Sequence, residues 1–146
     1  MTSPVGPLTI WGGPTGITAL DWADRTSTDG PAFLANAKAQ LEAYFAKELQ
    51  AFTLPLTPRG SVFQQDFYAA LCAIPYGETR TYGDLAKDLG VSAQAIGQAC
   101  GANPIPILIP CHRVLGANGL GGFSGAGGVE AKIALLKLEG AASLLI

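Results

Sequence analysis

The chain has 146 residues, 49% of them apolar and 14% charged, with a net charge of −2 and a pI near 5.2. That composition excludes a disordered chain, and apolar runs that are short and cut by Pro or Gly exclude a membrane span. The acidic balance also excludes a broad basic surface, so any nucleic-acid contact must be a local patch of modest, salt-sensitive affinity.

The three cysteines show no Cys-x-x-Cys spacing. The amino terminus, Met1-Thr2-Ser3-Pro4, lacks the charged and apolar regions of a signal peptide. Both features point to a reducing cytoplasm. With a single histidine and no cysteine before Cys72, no metal site is expected.

Residues 8–22 read as two β segments joined by a Gly-Gly-Pro turn. Asp29-Gly30-Pro31 opens a helix, with Pro31 suited to its first turn and Phe33, Ala37, Leu41, Tyr44 or Phe45, and Leu49 recurring at helical spacing. Residues 1–55 therefore form a small α/β module. Its aromatic residues read as core, and nothing in it signals a function. The Pro-interrupted stretch ending at Gly60, 56–60, reads as a linker, and 61–146 as the second domain.

Ser61 to Ile74 reads as a helix with Phe63, Phe67 and Leu71 on one face, and Cys72 on or beside it as a structural thiol. Thr81-Tyr82-Gly83-Asp84 has the form of a capping box with Asp in place of Glu. The helix it opens runs to about Leu89. Gly90-Val91 turns the chain, and Ser92 caps a second helix through about Cys100. Two short helices joined by a glycine-containing turn suggest a helix-turn-helix. In the second helix only Ser92, Gln94 and Gln98 are polar, with Ile96 and Cys100 facing inward. Ala93 and Gly97 leave room for close approach to a duplex, without side chains that read base edges.

The next stretch, Asn103 to Val114, holds three prolines in an apolar run that ends in Cys111 beside the lone His112. Proline fixes φ and removes a donor, so the stretch reads as a rigid, extended, mostly buried backbone that presents one thiol. Such a thiol is either packing or a nucleophile, and a neighbouring imidazole or cation favours the second. Adjacent side chains on an extended strand point apart, so contact between Cys111 and His112 needs a bridging water or a bend. The glycine-rich stretch from Gly116 to Gly128 reads as a lid rather than a phosphate loop, since no Gly-Lys-Ser/Thr follows. A last helix spans Val129 to Leu138, with Val129, Ile133 and Leu136 toward the core, and ends at Glu139-Gly140.

Pro110-Cys111-His112-Arg113-Val114 resembles the active-site signature of the O6-alkylguanine-DNA alkyltransferases, the methylated-DNA–protein-cysteine methyltransferases. The resemblance runs from about Gly60 to Gly140 and includes Phe63-Gln64-Gln65, Gly77-Glu78, Thr81-Tyr82, Leu85-Ala86, Asn103, Phe123-Ser124-Gly125 and Glu139-Gly140. It implies an α+β protein: a ribonuclease H-like remnant, then a mainly helical domain with a winged-helix-like helix-turn-helix and an active-site cysteine. It also implies repair of an extruded base in double-stranded DNA, with single strands left open, by a monomer that acts once and needs no cofactor.

Residue by residue, the resemblance makes Cys111 the nucleophile, His112 the base acting through a water, and Glu139 its support, with Tyr82 serving the guanine ring. Ser124, with Phe123 and Gly125 beside it, would face O6. The carbonyls of Cys111 and Val114 would meet the exocyclic amine, and Pro106 the alkyl group. Asn103 would brace the turn into the active-site segment. Thr81, Ser92, Ala93, Gln94, Gly97, Gln98 and Arg113 would meet DNA. The family places an arginine where this chain has Gln94, which predicts weaker duplex binding. A second reading, a non-catalytic sensor of alkylated DNA, is disfavoured by the intact Cys111. A Cys-His hydrolase lacks an oxyanion motif.

Overall fold

A computed structural model describes residues 1–23, 31–116 and 128–141. The amino-terminal module begins with an antiparallel pair, β1 (Thr9–Gly12) and β2 (Ile17–Asp21), in the register Thr9↔Asp21, Ile10↔Leu20, Trp11↔Ala19. A bulge follows between Trp11 and Gly12. Helix α1 (Ala32–Phe45) packs on this ribbon and buries Ala37, Leu41 and Tyr44, one face at i, i+4, i+7. Pro31 stands one position before the helix, at its N-cap, and Leu49 lies beyond the helix end.

The second domain is mainly helical. Helix α2 (Val62–Cys72) starts at a complete capping box, with Ser61 accepting from the Gln64 N–H and the Gln64 side chain accepting from the Ser61 N–H. It buries Phe67, Tyr68 and Leu71. Cys72, expected on or beside that face as a structural thiol, is exposed; it follows Leu71 by one residue and so points about 100° away around the helix, beside the buried face.

The two-residue strand β3 (Arg80–Thr81) leads into α3 (Tyr82–Leu89), whose capping box joins Thr81 and Asp84 as expected. Gly90 ends α3 in the left-handed region at φ 69°, where a side chain would be strained. Ser92 then caps α4 (Ala93–Gly101), buried through Ile96 and Ala99. These two helices form the helix-turn-helix, with Ser92, Ala93, Gln94, Gly97 and Gln98 all exposed along one side.

One apolar core joins both parts, from Leu8, Ile17 and Leu41 to Phe67, Ile96, Ile105, Val114 and Leu135. Backbone bonds tie the module down. The Leu20 N–H donates to Pro104 O, and the Ile17 N–H to Pro55 O, while Ile17 O accepts from Thr57. The ribbon is therefore bonded directly to the segment that carries Cys111.

Candidate active site

Asn103 to Pro110 is buried as expected but is not extended. The Ile109 N–H reaches back to Ile105 O, closing a compact loop, and Ile107 at its apex takes φ 74°. A β-branched residue rarely enters that region, at a cost of about 1–3 kcal/mol. Asn103 holds the loop shut. Its amide donates to Ile109 O, and its carbonyl accepts from the Ile105 N–H, both at 3.0 Å and both buried. The apolar side chains of Ile105, Ile107, Leu108 and Ile109 are at most 4% exposed, so their burial offsets the strain.

The chain then bends into a single 3₁₀ turn, Cys111–Arg113. At three residues per turn, successive side chains point about 120° apart, so the turn must be covered on every side to bury all three. Cys111, His112 and Arg113 are all buried. The turn leads into β4 (Val114–Leu115), which pairs in parallel with β3 in the register Arg80↔Val114, Thr81↔Leu115. This pairing, invisible in the sequence, brings the start of α3, and with it Tyr82, alongside Val114.

Glu139, just past α5 (Gly128–Leu138), is the hub of the site. His112 Nε2 lies 2.6 Å from its Oε2, Arg113 Nε 2.8 Å from Oε1 and Arg113 Nη2 3.1 Å from Oε2, and the Tyr44 hydroxyl donates to Oε2 at 2.6 Å. Burial alone would raise the Glu139 carboxyl, but the donors His112 and Arg113 outweigh it and bring it down to about 2. An ionised carboxylate only accepts, so His112 must carry its proton on Nε2. Its Nδ1 is then a free lone pair, and it has no hydrogen-bond partner among the described residues. Burial also lowers the basicity of the ring, with Glu139 opposing, so His112 rests neutral and able to accept a proton.

The Cys111 thiol is held above its ordinary range. Burial pushes its thiol up, while the Asn103 side chain and the Lys132 charge pull it down. Sequence reasoning missed Lys132. It is fully buried, donates from Nζ to Val114 O at 2.6 Å, and stands 5.8 Å from the Tyr82 ring centroid. The last helix was expected to bury Val129, Ile133 and Leu136, yet Val129 is 42% exposed and the buried residues are Ala131, Lys132, Leu135 and Leu136. The face is turned because Lys132 finds an acceptor inside. The clue was its spacing: Lys132, Leu136 and Glu139 follow i, i+4, i+7.

Arg113, expected at the DNA surface, is instead 6% exposed; it is spent on Glu139 and on Ile74 O at 2.7 Å. Gly77, of the Gly77-Glu78 pair, sits at φ 83°, and a Cβ there would come 3.3 Å from Glu139 O. That explains a glycine beside the hub. Pro106 is buried in the stapled loop, and Thr81 and Tyr82 are half-buried. Phe123, Ser124 and Gly125 lie outside the described residues. A cavity of about 190 Å³ separates the module from the second domain, lined by Phe52, Leu56, Cys72, Tyr76, Leu108 and Arg113 among others, but not by Cys111.

A buried thiol one residue before an imidazole that is bonded to a carboxylate and shares it with a guanidinium, in a helix-turn-helix domain, is the residue set of a cysteine-nucleophile protein. Two family models match the chain: 6-O-methylguanine DNA methyltransferase, ribonuclease-like domain, over residues 1–58, and the DNA binding domain of the same family over residues 62–141. The chain belongs to the methylated-DNA–protein-cysteine methyltransferase family. It is 44% identical over 149 residues to the methyltransferase of that name from Methanosarcina acetivorans, covering 94% of each chain. It is 46% identical over 147 residues to that of Mycobacterium bovis, covering 94% of this chain and 88% of the relative. The crystal structure of Mycobacterium tuberculosis OGT in complex with DNA superposes with a TM-score of 0.85 at 45% identity, over 99% of this chain and 93% of that one.

Proposed function

We propose that the protein repairs DNA by moving the alkyl group of O6-alkylguanine onto Cys111, once per molecule. What carries this reading is the Cys111 turn: a buried thiol next to a neutral imidazole whose proton-bearing nitrogen is fixed by Glu139. Family membership and the DNA-bound Mycobacterium tuberculosis relative support it. Residues 1–55 serve as the supporting module, 56–60 as the connection, and 61–146 as the DNA-binding and transfer domain.

In the proposed step the Cys111 proton passes through a bridging water to His112 Nδ1, and Glu139 stabilises the imidazolium. The sulfur attacks the alkyl carbon in line. A carbon–sulfur bond forms as the carbon–O6 bond breaks, and the electron pair leaves with guanine, which Tyr82 protonates or hydrogen-bonds. The thioether has no good leaving group, so the protein is consumed.

The guanine is extruded from double-stranded DNA into the site. Ser124, with Phe123 and Gly125, faces O6, Pro106 meets the alkyl group, and the Cys111 and Val114 carbonyls meet the exocyclic amine. Since Lys132 already donates to Val114 O, that carbonyl offers only its second lone pair. Thr81 and the exposed side of α4 (Ser92, Ala93, Gln94, Gly97 and Gln98) approach the duplex, and the protein acts as a monomer. The thiol must be reduced to react, which suits the cytoplasm.

The test is intact mass spectrometry after mixing with an oligonucleotide that carries O6-methylguanine. A gain of one methyl on Cys111, absent in Cys111→Ser, is expected. Tight binding with no gain would establish the sensor reading instead.

A further inference from the structure

The amino-terminal module reaches the chemistry through one side chain. Tyr44, 1% exposed on α1, sends its hydroxyl to Glu139 Oε2 at 2.6 Å, across 95 residues of sequence. That oxygen is the one His112 Nε2 uses, also at 2.6 Å. Two close donors therefore share one acceptor atom, with Arg113 Nη2 a third at 3.1 Å. The ring is held on edge by Phe45 at 5.2 Å and Tyr76 at 6.2 Å between centroids, and Phe52 tilts against it at 5.3 Å.

We propose that Tyr44 is a positioning residue for alkyl transfer: its hydroxyl draws charge from the Glu139 oxygen that holds His112, and so sets how strongly the imidazole keeps a proton. The inference rests on the reading of His112 and Glu139 as the proton relay. Burial, with the Glu139 charge adding to it, keeps the phenol far above its ordinary range, so Tyr44 stays protonated and donates to the carboxylate. A hydrogen bond to a charged acceptor is stronger than a neutral one, and a carboxylate that already serves a phenol binds an imidazolium less tightly.

The other charged and titratable groups around the pair are Arg113 and Cys111 on the 3₁₀ turn, Lys132 on α5 and Tyr76 before β3, with Cys72 on α2 facing Arg113. Of these, Arg113 and Lys132 disfavour the imidazolium. Tyr44 adds to them from a different element, without adding a charge.

The chain holds a single histidine, so the His112 ring can be titrated by NMR without ambiguity and set beside the pH dependence of the single-turnover rate. In Tyr44→Phe both midpoints should rise by about 0.5–1 pH unit, while the plateau rate changes less than about threefold. With 3-fluorotyrosine at position 44, a stronger donor that preserves the fold, both should move down. Midpoints that match wild type in both variants, or a rate lowered equally at every pH, would overturn the proposal. If rate and ring midpoints disagree in the wild-type protein, the relay reading fails, and Tyr44's role in transfer fails with it, even where the ring still shifts.

Discussion

The Lys132 ammonium is fully buried and donates to the Val114 carbonyl at 2.6 Å. Its charge pulls the Cys111 thiol down against burial, whereas Arg113 is committed to Glu139. Lys132→Met removes that charge at nearly constant volume. The transfer rate near neutral pH should fall about tenfold, one unit of thiol acidity, and recover as the pH is raised. A loss that persists at every pH would mean that Lys132 acts on the substrate rather than on Cys111.

Asn103 closes the loop that places Cys111. Asn103→Ala strands a buried N–H and a buried carbonyl and should lower stability by about 2–4 kcal/mol, read as the shift of a urea midpoint. Transfer should slow as well, since only the Ile109–Ile105 backbone bond and apolar packing then hold Ile107 in its strained conformation. A change under about 0.5 kcal/mol would show that the apolar packing alone fixes the loop.

The buried hub makes stability depend on pH with a definite sign. His112 and Glu139 both have folded pKa values below their ordinary ones, His112 through burial and Glu139 through its hydrogen bonds, against burial. Each contributes stability that is complete above its unfolded pKa and is lost as pH falls toward the folded one. Denaturation should therefore become easier below about 6.5, through His112, and again from about 4.5 down to about 2, through Glu139. His112→Gln should remove the upper part of the decline in urea melts; an unchanged profile would place the histidine outside the folding linkage.

Gln94 is exposed on α4 among small side chains. Gln94→Arg should tighten binding to duplex DNA and steepen its dependence on salt by about one unit of log–log slope. Titration at two salt concentrations reads both. An unchanged affinity would mean that this position does not face the duplex.

Glu139→Gln leaves Arg113 buried without a counter-charge. Stability should drop by about 3–5 kcal/mol, together with the transfer rate. A variant as stable as wild type would show that Arg113 finds another partner.

The local features were legible in the chain because local physics dictates them. Ser61, Thr81 and Ser92 announce their helices through their own hydroxyls, Gly90 is the residue a left-handed cap wants, and the alternation in 8–22 folds back at its glycines. The run Pro110-Cys111-His112-Arg113-Val114 likewise named the thiol and its imidazole. Only the tertiary structure decided where the polar side chains end. Arg113 faces inward because Glu139, 26 residues later, folds back onto it. Lys132 is buried because Val114 offers a carbonyl, and Tyr44, a core aromatic by its spacing, reaches the carboxylate of the second domain. A hydrophobic period specifies which face of a helix is covered. It is silent on which distant donor or acceptor will meet a buried polar tip, because that partner comes from another part of the chain and is fixed only when the two parts pack.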